Sequence, residues 1–134
     1  MARQSRESGQ SVVELALLLP LLLLLLSGLL DLGRAYYVRV TLEDMASEGA
    51  LYAAIHPMDA AGVWERASQA SGGMITVSPN DVDIDYPPVL YVGAPITVTV
   101  SYDFQLITPL IGDMFPGGVL RLRGTATHAI ISLQ

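Results

Sequence analysis

The chain has 134 residues, 51% of them hydrophobic, and a net charge of −6. That length allows one small domain beside an anchor. All seven cationic side chains are arginines, and an acidic chain without clustered cations makes a poor partner for nucleic-acid phosphates. No cysteine is present, which excludes disulfides, thiol chemistry and cysteine-based zinc sites.

A polar leader, Met1 to Gly9, runs straight into an apolar segment from Val12 to Leu30. Apart from Glu14, Pro20, Ser27 and Gly28, that segment holds only valine, leucine and alanine. As a helix it would reach about 28 Å, close to the hydrocarbon thickness of a bilayer. A secretory signal peptide is the rival reading. Its apolar core is usually shorter, about 7–15 residues, and a small-x-small cleavage site follows. No convincing Ala-x-Ala stands near Ser27 to Asp31, so a retained span is expected. Arg3 and Arg6 before the span and Arg34 and Arg39 after it tie the positive-inside count. The short leader fits an N-terminus in the cytoplasm and an exported domain. Glu14 is the outlier, because hydrocarbon offers a carboxylate neither water nor a partner.

The helix should continue beyond the membrane. Arg34 to Ile55 contains no proline and only one glycine, Gly49. Val38, Leu42, Met45, Gly49 and Tyr52 recur at spacings of three and four, with Arg39, Glu43, Asp44 and Glu48 mostly opposite, which is an amphipathic pattern. Tyr36 and Tyr37 fall where the helix should leave the bilayer. His56-Pro57 ends it. Pro20 removes the hydrogen bond to the Ala16 carbonyl and is expected to kink it. A second, short helix is expected over 59–70, capped by Asp59, with Val63, Ala67 and Ala70 on one face and Ser71-Gly72-Gly73 as its stop.

The remainder reads as strands. Val82, Ile84 and Tyr86 alternate with Asp81, Asp83 and Asp85; Ile96, Val98, Val100, Tyr102 and Phe104 alternate with polar residues; so do Leu120, Leu122, Ala126 and Ile130. Met74 to Val77 is a weaker strand. Period two with one apolar face means a sheet that is packed on one side and wet on the other. The helix stripe can cover it. The expected fold is therefore α+β: a long N-terminal helix, transmembrane in its first half and amphipathic in its second, packed on a small antiparallel sheet of three or four strands.

Gly9, then Gln10-Ser-Val-Val-Glu14, then an apolar helix resembles the processing signature of class III (type IV filament) signal peptides. In that family a prepilin peptidase cuts after the glycine on the cytoplasmic side, and the glutamate is the fifth residue of the mature chain. More narrowly, the run from Gly9 through Glu14-Leu-Ala-Leu-Leu-Leu-Pro20, followed later by Gly28-Leu-Leu-Asp-Leu-Gly-Arg34, resembles the TadE-like pseudopilins of the tight-adherence (Flp) pilus system. Leu15 replaces the usual phenylalanine, and Asp31 the commoner glutamate. The resemblance covers about residues 9 to 34.

It implies a cleavable leader at 1–9, a transmembrane helix at 10–33 and an extracytoplasmic domain at 34–134. That domain would comprise a helix continuation (34–56), a short helix (59–70) and a sheet (74–132). It implies a non-enzymatic minor pilin or pseudopilin in the cytoplasmic membrane, with Gly9 and Gln10 as the cleavage site. Implied partners are a prepilin peptidase, the inner-membrane platform with its motor, other pilins and membrane lipid. An unprocessed single-pass anchored binding module and a major filament subunit are the alternatives. No cofactor is implied.

Physics offers Glu14 a role. After cleavage Gln10 would present a cationic amine, which can meet Glu14 of a neighbouring subunit; a wrong register leaves a buried charge unpaired. Glu14 would then set axial register. The bland reading is a carboxylate that snorkels to the interface.

Other candidates are weaker. Asp81, Asp83 and Asp85 could offer oxygens to calcium, but alternating aspartates read first as a wet strand face. His56 reads as a helix end and His128 as a residue of the apolar strand face; neither has metal-ligating partners at a recognisable spacing, nor a nucleophile motif nearby. The connection from Ile107 to Gly118 is unusually apolar. It reads first as a cover folded over the sheet edge, and otherwise as a subunit contact through Leu110, Ile111, Met114 and Phe115. Trp64 poses the same choice, with core preferred.

Overall fold

One helix, α1 (Gln4–Ile55), takes up 52 residues. At the usual rise it is roughly 78 Å long. The computed structural model describes residues 4–109 and 111–133, with side chains from Gly9 onward. The expected helix began at Val12, yet α1 runs back through Gly9, because a single glycine weakens a helix without ending it. It also continues through Pro20, whose missing N–H does not break it.

Along α1 the environment changes abruptly. From Val12 to Leu23 every side chain is exposed. From Leu42 on, Leu42, Met45, Ala46, Ala50 and Ala53 are fully buried. The stripe that faces the protein starts lower, however. Leu24, Gly28, Asp31, Ala35, Val38 and Leu42 all lose exposure at alternating steps of four and three, the spacing of one helix face.

The short helix α2 (Ala60–Ala70) packs on the upper part of α1 through Val63 and Ala67. Its N-terminus is capped as expected: the Gly62 N–H donates to Asp59 Oδ1 at 3.0 Å. The Tyr52 hydroxyl donates to Asp59 Oδ2 at 2.8 Å, which ties the cap to α1.

Three strands follow: β1 (Val82–Asp85), β2 (Pro95–Gln105) and β3 (Val119–Ala129). They form an antiparallel meander in that order, with Ile84 opposite Val98 and Val98 opposite Ala126. One face carries Ile96, Val98 and Val100, fully buried under α1 and α2. Burial of each such side chain contributes about 1.5–3 kcal/mol. The other face is wet, and Thr97–Thr127 and Thr99–Thr125 pair their hydroxyls across it at 2.8 and 3.1 Å. Gly124 sits on the inner face of β3, where a Cβ would run into the backbone of Leu42 and Glu43. The helix therefore crosses β3 at backbone contact, which only glycine permits.

Four expectations need correction. Met74 to Val77 is not a strand: Gly72 and Gly73, both at positive φ, turn the chain, and the segment only tucks Ile75 and Val77 into the core. Tyr86 lies outside β1, since Pro87-Pro88 has no N–H to extend the ladder. Trp64 is half-buried, its indole N–H donating to the Val77 carbonyl at 3.2 Å. Finally, the 107–118 connection does not cover the sheet edge as core. It folds down against α1, with Ile107 69% and Met114 81% exposed.

Candidate functional site

The Gly9–Gln10–Glu14 motif lies on the exposed lower part of α1. Gly9, Gln10 and Glu14 are all solvent-exposed, and nothing stands within 4 Å of a Cβ built on Gly9. The Gln10 side-chain amide donates to Glu14 Oε1 at 3.1 Å, one turn along the helix. Within one chain, then, the residue after Gly9 already reaches the carboxylate that the sequence singled out. The bond between Gly9 and Gln10 lies within a helical turn. Glycine makes unwinding cheap, at about 1 kcal/mol less helix preference than alanine.

The second constellation is centred on Asp31. It is almost fully buried, at 4% exposure, on a helix whose adjoining turns are mostly open. Its Oδ2 accepts three hydrogen bonds: from the N–H of Ile107 at 2.8 Å, the N–H of Thr108 at 2.7 Å and the Thr108 hydroxyl at 2.7 Å. Its Oδ1 accepts from Arg34 Nη1 at 3.0 Å. An ionised carboxylate is an acceptor-only group, and here four donors converge on it. Arg34 in turn lies over the Phe104 ring, 5.0 Å from its centroid. Asp31 thus clamps the start of the β2–β3 connection onto α1, one residue past the apolar segment.

The connection is held at a second point as well. Ile111 Cδ1 lies 3.6 Å from where a Gly28 Cβ would be. A small apolar cavity of about 200 Å³ remains between Gly28, Leu32, Ala35, Leu106, Ile111 and Phe115. Ile111 and Phe115 are partly screened there, at 38% and 37% exposure, whereas Met114 points away. Leu110 lies outside the described residues.

The acidic strand edge looks different from its sequence pattern. Asp81 is not on the strand but in a 3-10 turn, where its Oδ2 accepts from the Ser78 N–H at 2.9 Å and the Ser78 hydroxyl at 2.7 Å. Those bonds hold its carboxyl below the ordinary value. Asp83 and Asp85 remain exposed on the strand. Among the described residues, no three metal-ligating side chains converge. His56 stacks on Tyr52 with ring centroids 4.7 Å apart, and His128 is half-buried opposite Ile96.

The sequence offered no sign that Asp31 and Thr108 meet, 77 positions apart. The signals for Asp31 itself were its place in the Asp31-Leu-Gly-Arg34 part of the motif and its spacing of three from an arginine.

Residues 9–51 match the family model described as TadE-like protein. The match lies entirely within α1 and holds Gly9, Glu14, Pro20, Asp31 and Arg34; the sheet lies beyond it. No curated protein and no solved structure is significantly similar to the chain. The apolar half of α1 is long and hydrophobic enough to cross a membrane.

Proposed function

Because the chain is TadE-like over residues 9–51, a family of pilus-associated proteins of the tight-adherence system, we propose that it is a processed minor pilin, a structural or assembly subunit rather than an enzyme. The observation that carries this reading is the placement of Gly9, Gln10 and Glu14 at the free end of an apolar helix. From Val12 to Leu23 every side chain of that helix is exposed beyond the folded domain. A prepilin peptidase would cut between Gly9 and Gln10. The new amine at Gln10 would then stand one turn from Glu14, and in a packed bundle a neighbour's amine would compensate that carboxylate. The domain would lie outside the cytoplasmic membrane, where platform proteins and other pilins are its partners.

The first test is the intact mass and N-terminal sequence of the membrane-extracted chain, co-expressed with a prepilin peptidase. A mature start at Gln10 is expected; a start at Met1 under those conditions overturns processing. The second is Glu14→Ala, which should leave insertion and cleavage intact and abolish recovery of the chain with its pilin partners. Normal pilus assembly in that variant would rule out the register role.

A further inference from the structure

Three features lie apart from the Gly9–Glu14 motif. The groove beside α1, about 710 Å³ and bordered by Leu30, Arg34, Tyr37, Met74 and Phe104, has its one cation already engaged by Asp31 and Phe104. The acidic edge near Asp81 is bound up with Ser78 and Arg121. The β2–β3 connection carries more.

We propose that the connection from Ile107 to Gly118 is a membrane-seated loop, its apolar side chains inserted into the outer edge of the bilayer beside the span. The inference rests on the reading of residues 12–30 as that span. Depth is the first argument. Ile111 reaches Gly28, which lies two residues below Leu30, or about 3 Å on the helix axis. If Leu30 is at the hydrocarbon boundary, Ile111 is at or under it.

Exposure is the second argument. Ile107 and Met114 are open to the surroundings, as are Leu25, Leu29 and Leu32 of α1, the last of which borders the same cavity as Ile111 and Phe115. The loop surface thus continues a helix face that is itself apolar, rather than forming an isolated patch.

Backbone chemistry is the third argument. In lipid every unpaired polar group is expensive and lipid-exposed irregular backbone is not found in the hydrocarbon, so the loop backbone would stay at headgroup level or against α1 while its side chains insert. Here the N–H groups of Ile107 and Thr108 go to Asp31. Those of Gly112, Met114, Phe115 and Gly118 go to carbonyls three or four residues back, at 3.0–3.1 Å. Pro109 and Pro116 have no N–H to satisfy. Gly117 and Gly118, at φ 67° and 69°, let the chain turn back to the sheet. The one charge in the loop, Asp113, is exposed and would stay among the headgroups. On this reading Asp31 is the device that seats the loop: a carboxylate at the membrane edge that spends its acceptors on the loop's donors.

The chain's lack of cysteine makes the test direct. Single cysteines would be placed in the full chain by Met114→Cys, Leu22→Cys and Val89→Cys, each labelled with a polarity-sensitive fluorophore. The protein would be reconstituted in phosphatidylcholine vesicles with spin-labelled lipids, the spin label high or deep on the acyl chain. The label at 114 should be blue-shifted and lose most of its emission to the shallow quencher, at every protein-to-lipid ratio. The label at 22 should respond to the deep quencher, and that at 89 to neither. A quenched position 22 with an unquenched position 114 overturns the loop proposal alone. An unquenched position 22 overturns the span on which it rests. A blue shift at 114 that appears only at high protein-to-lipid ratio, without lipid quenching, would mean that another subunit covers the loop, and the proposal would fail.

Discussion

The two halves of α1 are one continuous helix in two different environments, one open and one packed. Val12 to Leu30 is nearly all leucine, valine and alanine and touches almost nothing in the protein. The half above it is mixed in composition and buries a stripe of small and medium side chains under the sheet. Leucine-rich and exposed below, alanine-rich and tightly packed above: the upper half takes its burial from β2, β3 and α2, whereas the lower half finds little within the chain and, on the proposed reading, takes it from the bilayer. Asp31 marks the seam between the two regimes.

If that division is right, the largest damage comes from crowding the upper contact. Gly124→Ala places a Cβ against the α1 backbone at Leu42 and Glu43, where no flexible side chain can give way. A loss of about 3 kcal/mol is expected, read as a lowered thermal midpoint of the full chain in micelles, with half-buried Trp64 as reporter. An unchanged midpoint would mean that helix and sheet can slide apart, and the upper half would not be the rigid body described.

Next in size is the seam. Asp31→Ala leaves the Ile107 and Thr108 N–H groups without acceptor and should cost about 2 kcal/mol. Asp31→Asn, which keeps one carbonyl acceptor, should cost less. Protection of the Ile107 and Thr108 amides from hydrogen exchange is the specific readout: it should vanish in the alanine variant while β2 amides stay protected. Equal loss in both places would make Asp31 part of the global core rather than a clamp on one connection.

The smallest effect is acid sensitivity, and it should act on the upper half only. The Gly62 N–H, and after it the Tyr52 hydroxyl, hold the Asp59 carboxyl below its ordinary value. A carboxyl lowered by folding adds stability above its unfolded value, and that contribution is lost as the pH falls through the folded value. Below the ordinary carboxylate range the wild type and Asp59→Asn should therefore converge in thermal midpoint, with the wild type ahead at neutral pH. Parallel curves across the acid range would remove Asp59 as a contributor.

Much of this was readable from residue order. The continuation of α1 past its apolar segment, its stop at His56-Pro57, the Asp59 cap and the alternation of β2 and β3 all rest on local periodicity or turn chemistry, which a linear pattern contains. The misses share a cause. Met74 to Val77 has strand-like residues but no neighbour to pair with, and pairing is not local. Asp81 fits the strand pattern but is claimed by Ser78, a side chain-to-backbone contest that alternation does not reveal. The 107–118 connection is apolar enough for core, and only the fold shows that it lies against α1 at Gly28 and Asp31 instead.

Sequence alone therefore determined the apolar stretch of the helix, the motif of Gly9, Gln10 and Glu14, the α+β class and the faces of helix and strand, because each depends on residues a few positions apart. Tertiary structure decided three further things. It gave Asp31 its partners at Ile107 and Thr108, it made Gly124 obligatory beneath Leu42, and it set the apolar connection beside Gly28. Each of these joins residues far apart in the chain, and distance in sequence says nothing about which donor will reach which acceptor once the helix lies across the sheet.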